Sequence, residues 1–181
     1  MVKCTMMLRP LLRRRFLSQT AADSYFEVLR IPRTFQIDET VLKHNYRRLM
    51  AEHHPDVQQS GTDDHATLVT RAYDTLKRPH TRATYLMELV GRPVDETASG
   101  ALVGPAFLME IMELREKIDA TSENAKLRAL FEANLQQMEQ TGQVLAQALN
   151  EGDLDGASEA AAQLQYWNRI EETLWDKMEH E

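Results

Sequence analysis

The sequence predicts an all-α protein made of two helical units: an N-terminal helical hairpin with short flanking helices, and a C-terminal antiparallel three-helix bundle. Three observations predict it. Gly and Pro are few and fall between periodic segments, apolar residues recur at spacings of three and four, and no stretch alternates apolar with polar residues for long enough to suggest a sheet. With 181 residues, 43% of them hydrophobic, the chain suits one medium core or two small ones.

Charge divides the chain before structure does. Up to Ala22 it carries Lys3, Arg9, Arg13, Arg14 and Arg15 and no acidic residue, so removing this segment takes the formal charge from −7 to −12. An Arg-rich, Ser/Thr-containing, acid-free stretch with Met6, Met7, Leu8, Leu11 and Leu12 among its charges has the composition of a mitochondrial transit peptide, assigned to residues 1–22 with cleavage between Phe16 and Ala22. The alternative is a basic tail. Arg9 and Pro10 break the apolar centre that a secretory signal needs. Cleavage would remove Cys4, the sole cysteine, and with it disulfides, thiolate catalysis and Cys-based metal ligation. The acidic body argues against nucleic-acid binding, and no apolar run reaches the roughly 18 residues of a membrane span.

In order, a short helix covers about 24–30, burying Phe26 and Leu29 and stopped by Pro32. A second opens at Asp38, whose carboxylate caps free amides, with Ile37 and Leu42 placed as a staple, and runs to about His53. Leu42, Tyr46, Leu49 and His53 share its inward side, while Lys43, His44, Arg47 and Arg48 lie at i,i+4 on the neighbouring surface. A third helix starts at Asp63 or Asp64 and ends near Lys77, packing through Leu68, Ala72, Tyr73 and Leu76. Pro79 interrupts it, and 82–90 add a further turn or two.

Residues 23–90 form the first unit. Residues 91–105, with three glycines and two prolines, read as a linker, and 106–181 as the second unit. Its helices are expected over about 106–120, 123–149 and 154–179, with Thr121 and Ser122 capping the second and Asn150, Gly152 and Asp153 turning into the third. Leu127, Leu130, Phe131, Leu135, Met138, Leu145 and Leu149 make one stripe, and Leu164, Trp167, Leu174 and Met178 another.

The informative break is "YRRLMAEHHPD", where a helix delivers two histidines and a carboxylate to its own end. Pro55 cannot donate a backbone hydrogen bond and disfavours helix at His54, so Asp56 is presented at a tip, where an ionised carboxylate can accept a bidentate arginine. A plain Pro-Asp turn is the bland alternative. With "YFEVLRIP" before it and "RAYDTLKRPHTRATYL" after it, the stretch from Tyr25 to about Tyr85 resembles the J-domain of DnaJ-type co-chaperones. That resemblance implies that His54, Pro55 and Asp56, beside the basic Lys43, Arg47 and Arg48, contact a DnaK-type chaperone and stimulate its ATP hydrolysis.

The helix over Phe107–Asp119 holds more apolar residues than one buried face requires. Phe107, Ile111, Leu114 and Ile118 form a core stripe; Leu108, Met109, Met112 and Glu116 centre roughly 130° away, with Glu113 beyond. The second stripe faces either the first unit or an outside partner, and Tyr166, turned from the bundle stripe, favours a partner. "RATYLMELVG", "FLMEIMELRE" and "LQYWNRIEE", added to the J-domain, resemble the HscB-type co-chaperones of iron–sulfur cluster biogenesis. That resemblance implies a mitochondrial-matrix adaptor, not an enzyme and with no cofactor of its own, that binds the cluster scaffold protein through Leu108, Met109, Met112, Glu113, Glu116 and Tyr166. The paired CxxC motifs of some eukaryotic members are absent. Two rivals remain: a J-protein for protein import or general folding, and a metal-dependent helical hydrolase using His53, His54, Asp56 and His65. Adjacent histidines project about 100° apart on a helix, which disfavours a shared ion.

Overall fold

The computed structural model describes residues 24–52 and 63–179. It contains eight helices in these regions: α1 (Tyr25–Val28), α2 (Glu39–Glu52), α3 (Asp63–Lys77), α4 (Pro79–Leu89), α5 (Glu96–Leu102), α6 (Pro105–Asp119), α7 (Asn124–Glu151) and α8 (Leu154–Glu179).

Local chemistry explains most of the boundaries. Ser24 and Glu27 form a reciprocal capping box at the start of α1. The helix closes after a single turn, before Pro32 can act: Arg30 adopts φ 54° while Ile31 N–H donates to Phe26 O at 2.9 Å, a Schellman end with arginine where glycine is usual. Asp38 caps α2 as expected, its Oδ1 accepting from Thr40 N–H (2.8 Å) and Val41 N–H (3.1 Å). Gly91 (φ 76°) ends α4, and Gly152 (φ 79°) ends α7 and turns the chain into α8, where Asp153 Oδ1 accepts from Gly156 N–H at 3.0 Å.

Four expectations need correction. Pro79 does not merely interrupt; it occupies the first turn of α4, where a missing N–H costs nothing, so the helix begins three residues before Arg82. Residues 91–105, read as a linker, contain α5, which lies along α8 with Val94, Ser99 and Val103 buried around it. Gly91, Pro93, Gly104 and Pro105 flank this ordered piece, and Gly100 lies within it. Thr121 and Ser122 do not cap α7: Thr121 Oγ1 donates backwards to Lys117 O at 2.7 Å, and Glu123 stands at the N-cap without capping the backbone, its carboxylate accepting from Lys126 Nζ at 2.7 Å. Leu135 of the proposed α7 stripe is exposed, and Asn134 is buried in its stead, donating Nδ2–H to Trp167 O at 3.1 Å.

A similar substitution occurs in the hairpin. Tyr46 is only half-buried, stacked on Tyr73 with ring centroids 4.2 Å apart. The residue buried with Leu42 and Leu49 is Asn45, whose Nδ2–H reaches Leu29 O at 2.9 Å and satisfies the α1 terminus. On α3 the sealed positions are Val69, Ala72 and Leu76; Leu68 and Tyr73 lie at the margin.

In the bundle α7 runs antiparallel to α8, with Asn134 opposite Trp167 and Phe131 opposite Trp175. Helix α6 runs parallel to α8: Phe107 sets its ring edge-on to Tyr166 and Trp167, and Ile118 lies beside Lys177. The hairpin unit rests on this bundle through α4, which packs along α8.

Candidate functional site

Two surfaces hold the candidate residues. On the first, Lys43, Arg47 and Arg48 are exposed on the outer side of α2, opposite the face that buries Leu42, Asn45 and Leu49. Arg48 Nε lies 3.9 Å from Glu52, which also receives Arg30 at 3.8 Å. Such long pairs in water stabilise by about 0–1 kcal/mol, so Arg48 is tethered rather than committed. His53, His54, Pro55 and Asp56 lie outside the described residues.

Among the other histidines, His44 and His65 are exposed, but His80 is not. It is half-buried at the start of α4, with Nδ1 sealed from water and no hydrogen-bond partner. Burial, together with the Arg78 charge, pushes its imidazole below the ordinary range against the pull of Glu172. Among the described residues no group of three His, Cys, Asp or Glu side chains could hold a metal ion.

The second surface is the outer face of α6. Ile111 and Ile118 are buried toward the bundle, with Phe107 and Leu114 half-buried beside them. Met109 and Met112, at i and i+3, are 63% and 62% exposed, and Glu113 and Glu116 are exposed next to them. The described residues of the hairpin unit do not cover this face. Two flexible thioethers left in water beside carboxylates offer adaptable contact area with a fixed charge pattern. Leu108 differs from its neighbours: it is half-buried against the core and only partly available.

Tyr166 departs further from expectation. It points away from the α8 core stripe, yet it is half-buried, its ring 5.8 Å from that of Phe107 and below the Arg169 guanidinium at 5.6 Å. Its hydroxyl faces Gly100 of α5, where an added Cβ would sit 3.5 Å away. Tyr166 therefore supports the first turn of α6 instead of standing free. Helical projection shows which side a residue takes, not what crosses over it, and α5 was not visible as a covering element.

Sequence reasoning missed a third group altogether, at the seam between the two units. Phe35, from the α1–α2 connection, is buried against Gly142 of α7, and its ring carries the Arg82 guanidinium at 5.0 Å. Gln165 of α8 donates Nε2–H to both Thr84 Oγ1 and Val94 O at 3.2 Å. Arg92 pairs with Asp155 at 3.1 Å on the exposed rim. The available signal was Gly142 itself, since glycine inside a long helix costs about 1 kcal/mol relative to alanine and needs a packing reason.

A hairpin with basic residues on its outer helix, docked on a three-helix bundle, is the arrangement of a J-type co-chaperone with a second helical domain. The comparisons agree. The profile of the DnaJ domain matches residues 24–85, and that of the HSCB C-terminal oligomerisation domain matches residues 103–174. The iron–sulfur cluster co-chaperone protein HscB of Mus musculus is 36% identical over 158 residues, which span 83% of this chain and 67% of the mouse protein. The mitochondrial J-type co-chaperone Jac1 of Saccharomyces cerevisiae is 29% identical over 94% of each chain. The crystal structure of human co-chaperone protein HscB superposes with a TM-score of 0.78 at 27% identity, covering 96% of this chain and 95% of the human one. The chain belongs to the HscB/Jac1 family of J-domain co-chaperones of iron–sulfur cluster biogenesis.

Proposed function

We propose that this co-chaperone acts in the mitochondrial matrix as an adaptor with two separate grips. His54, Pro55 and Asp56, with Lys43, Arg47 and Arg48 beside them, engage a DnaK-type chaperone and stimulate its ATP hydrolysis. The α6 face of Leu108, Met109, Met112, Glu113 and Glu116, supported from below by Tyr166, holds the protein scaffold on which the cluster is assembled. Holding both partners makes the second encounter intramolecular and raises its effective concentration. Residues 1–22 are the transit peptide, 23–90 the J-domain and 106–181 the scaffold-binding domain.

The observation that carries this reading is the pair of methionines left in water on α6, on a helix that buries Ile111 and Ile118 on its opposite side. Recovery of both a DnaK-type chaperone and a cluster scaffold on the tagged protein from mitochondrial extract is the expected result. Recovery of the chaperone with a broad range of unfolded proteins and no scaffold would favour general folding or import instead.

A further inference from the structure

Sulfur is unevenly placed in this chain. The sole cysteine, Cys4, lies in the acid-free leader, so beyond the leader every sulfur is a thioether. Among the described residues Met87 and Met138 are sealed in the core, and Met50 and Met178 are half-buried. Two of these four are also engaged: Thr70 Oγ1 donates to Met50 Sδ at 3.8 Å, and Asn134 Nδ2–H to Met138 Sδ at 3.7 Å. Of the described methionines only Met109 and Met112 stand mostly in water, and they do so one turn apart on the same face of α6.

A thioether in water is open to peroxide. The Sδ lone pair attacks one oxygen of hydrogen peroxide, an S–O bond forms as the O–O bond breaks, and the departing hydroxide takes the proton left on the sulfur-bound oxygen and leaves as water. Sulfur is oxidised and the peroxide reduced, and the flexible apolar side chain becomes a polar, chiral sulfoxide. Its new oxygen needs a donor once it is covered. Along α6 no donor side chain lies within a turn of Met109, and only Arg115 lies within a turn of Met112; Glu113 and Glu116, four residues beyond each methionine, only accept. In the free protein water satisfies the oxygen, whereas a partner laid over the ridge strips that water without replacing it.

We propose that Met109 and Met112 form a reversible modification site: oxidation by peroxide weakens the grip of α6 on the scaffold, and a thiol-dependent methionine sulfoxide reductase restores it, two thiols becoming a disulfide as the oxygen leaves as water. This rests on the adaptor reading above. Iron–sulfur cluster biogenesis handles ferrous iron, which reduces oxygen toward peroxide, so the oxidant arises where the ridge works.

The test uses the full chain carrying Cys4→Ser, so that no thiol competes, titrated with purified scaffold before and after hydrogen peroxide. Peptide mass spectrometry is expected to show Met109 and Met112 gaining one oxygen each ahead of Met50, Met87, Met138 and Met178. Scaffold affinity should then fall about tenfold or more, the scale of a polar group covered without a partner. Chaperone ATPase stimulation should stay within about twofold and the melting temperature unmoved, because both side chains lie outside the core. Treatment with methionine sulfoxide reductases of both epimer specificities should return the affinity. Met109→Leu with Met112→Leu is read against itself: whatever its starting affinity, its values with and without peroxide should agree within about twofold, while Met50→Leu with Met178→Leu keeps the full loss. Oxidation of Met109 and Met112 without loss of affinity, a loss that the reductases do not reverse, or an equal loss in the Met109→Leu, Met112→Leu protein would overturn the assignment and leave the adaptor reading standing. Untreated protein that binds no scaffold sinks both.

Discussion

The ammonium of Lys177, in the last turn of α8, donates to the Ile118 carbonyl at 2.7 Å and to that of Asp119 at 2.9 Å. A helix leaves its final carbonyls unpaired and its C-terminus partly negative, so a cation there is a cap as well as a strap. It holds the far end of α6, while Phe107, set against Tyr166 and Trp167, holds the near end.

Lys177→Met should therefore loosen the last turn of α6 by about 1 kcal/mol, seen as roughly fivefold faster amide exchange there. Lys177→Arg, which keeps charge and donors, should recover much of the protection. Unchanged exchange in Lys177→Met would mean that the turn is held by Ile118 packing alone.

Asp56→Ala should abolish stimulation of the chaperone ATPase and leave scaffold affinity within about twofold, because the two grips share no side chain. Titration of the scaffold and steady-state ATP turnover, measured on one preparation, check both halves. Parallel loss of the two activities would show a single site.

Met109 and Met112 lie in solvent, so replacing both with Ala should change unfolding free energy by less than about 0.5 kcal/mol. If they anchor the scaffold, the same pair should weaken its binding by about 2 kcal/mol or more. Leu108→Ala and Tyr166→Ala, by contrast, should also lower thermal stability, since both residues are half-buried. Calorimetric titration beside a melting curve separates the two contributions.

The buried Asn45 amide satisfies the Leu29 carbonyl, so Asn45→Ala should destabilise the J-domain by about 1–3 kcal/mol, the cost of a sealed acceptor without a donor. Denaturant midpoints report it. A loss near zero would mean that water reaches the carbonyl.

Acid should weaken the seam through His80. Its folded-state affinity for protons is depressed below the ordinary value of 6.5, so the native state disfavours the charged form, and stability is lost as pH falls through that value and below. Glu171, whose carboxyl is raised by burial and by Glu172, has the opposite sign: its contribution strengthens as pH falls toward the carboxylate range. His80→Gln should flatten the decline between pH 7 and about 5.5, read from urea midpoints at several pH values. An unaltered slope would assign the decline to other groups.

What could be read from the sequence follows from what periodicity reports. Helix α3 was placed at Asp63–Lys77 and α8 at about 154–179 because caps, a glycine turn and apolar spacing are local signals. Asn45 and Asn134 were passed over because each is buried by a carbonyl far along the chain, 16 and 33 residues away, and such partners leave no local trace. The same holds for the seam, where Phe35 meets Gly142 and Thr84 meets Gln165. At the candidate sites, spacing correctly put Met109 and Met112 on an outward face, but it could not tell that α5 packs on α8 beside Tyr166.

Because Met109 and Met112 stand exposed along a rod instead of lining a hollow, nothing about this ridge would limit the girth of a protein bound there. A small metabolite would find no enclosure in which to shed its water, whereas a broad, firmly folded body could lie along the rod's length of about 22 Å and still leave its own reactive centre turned outward.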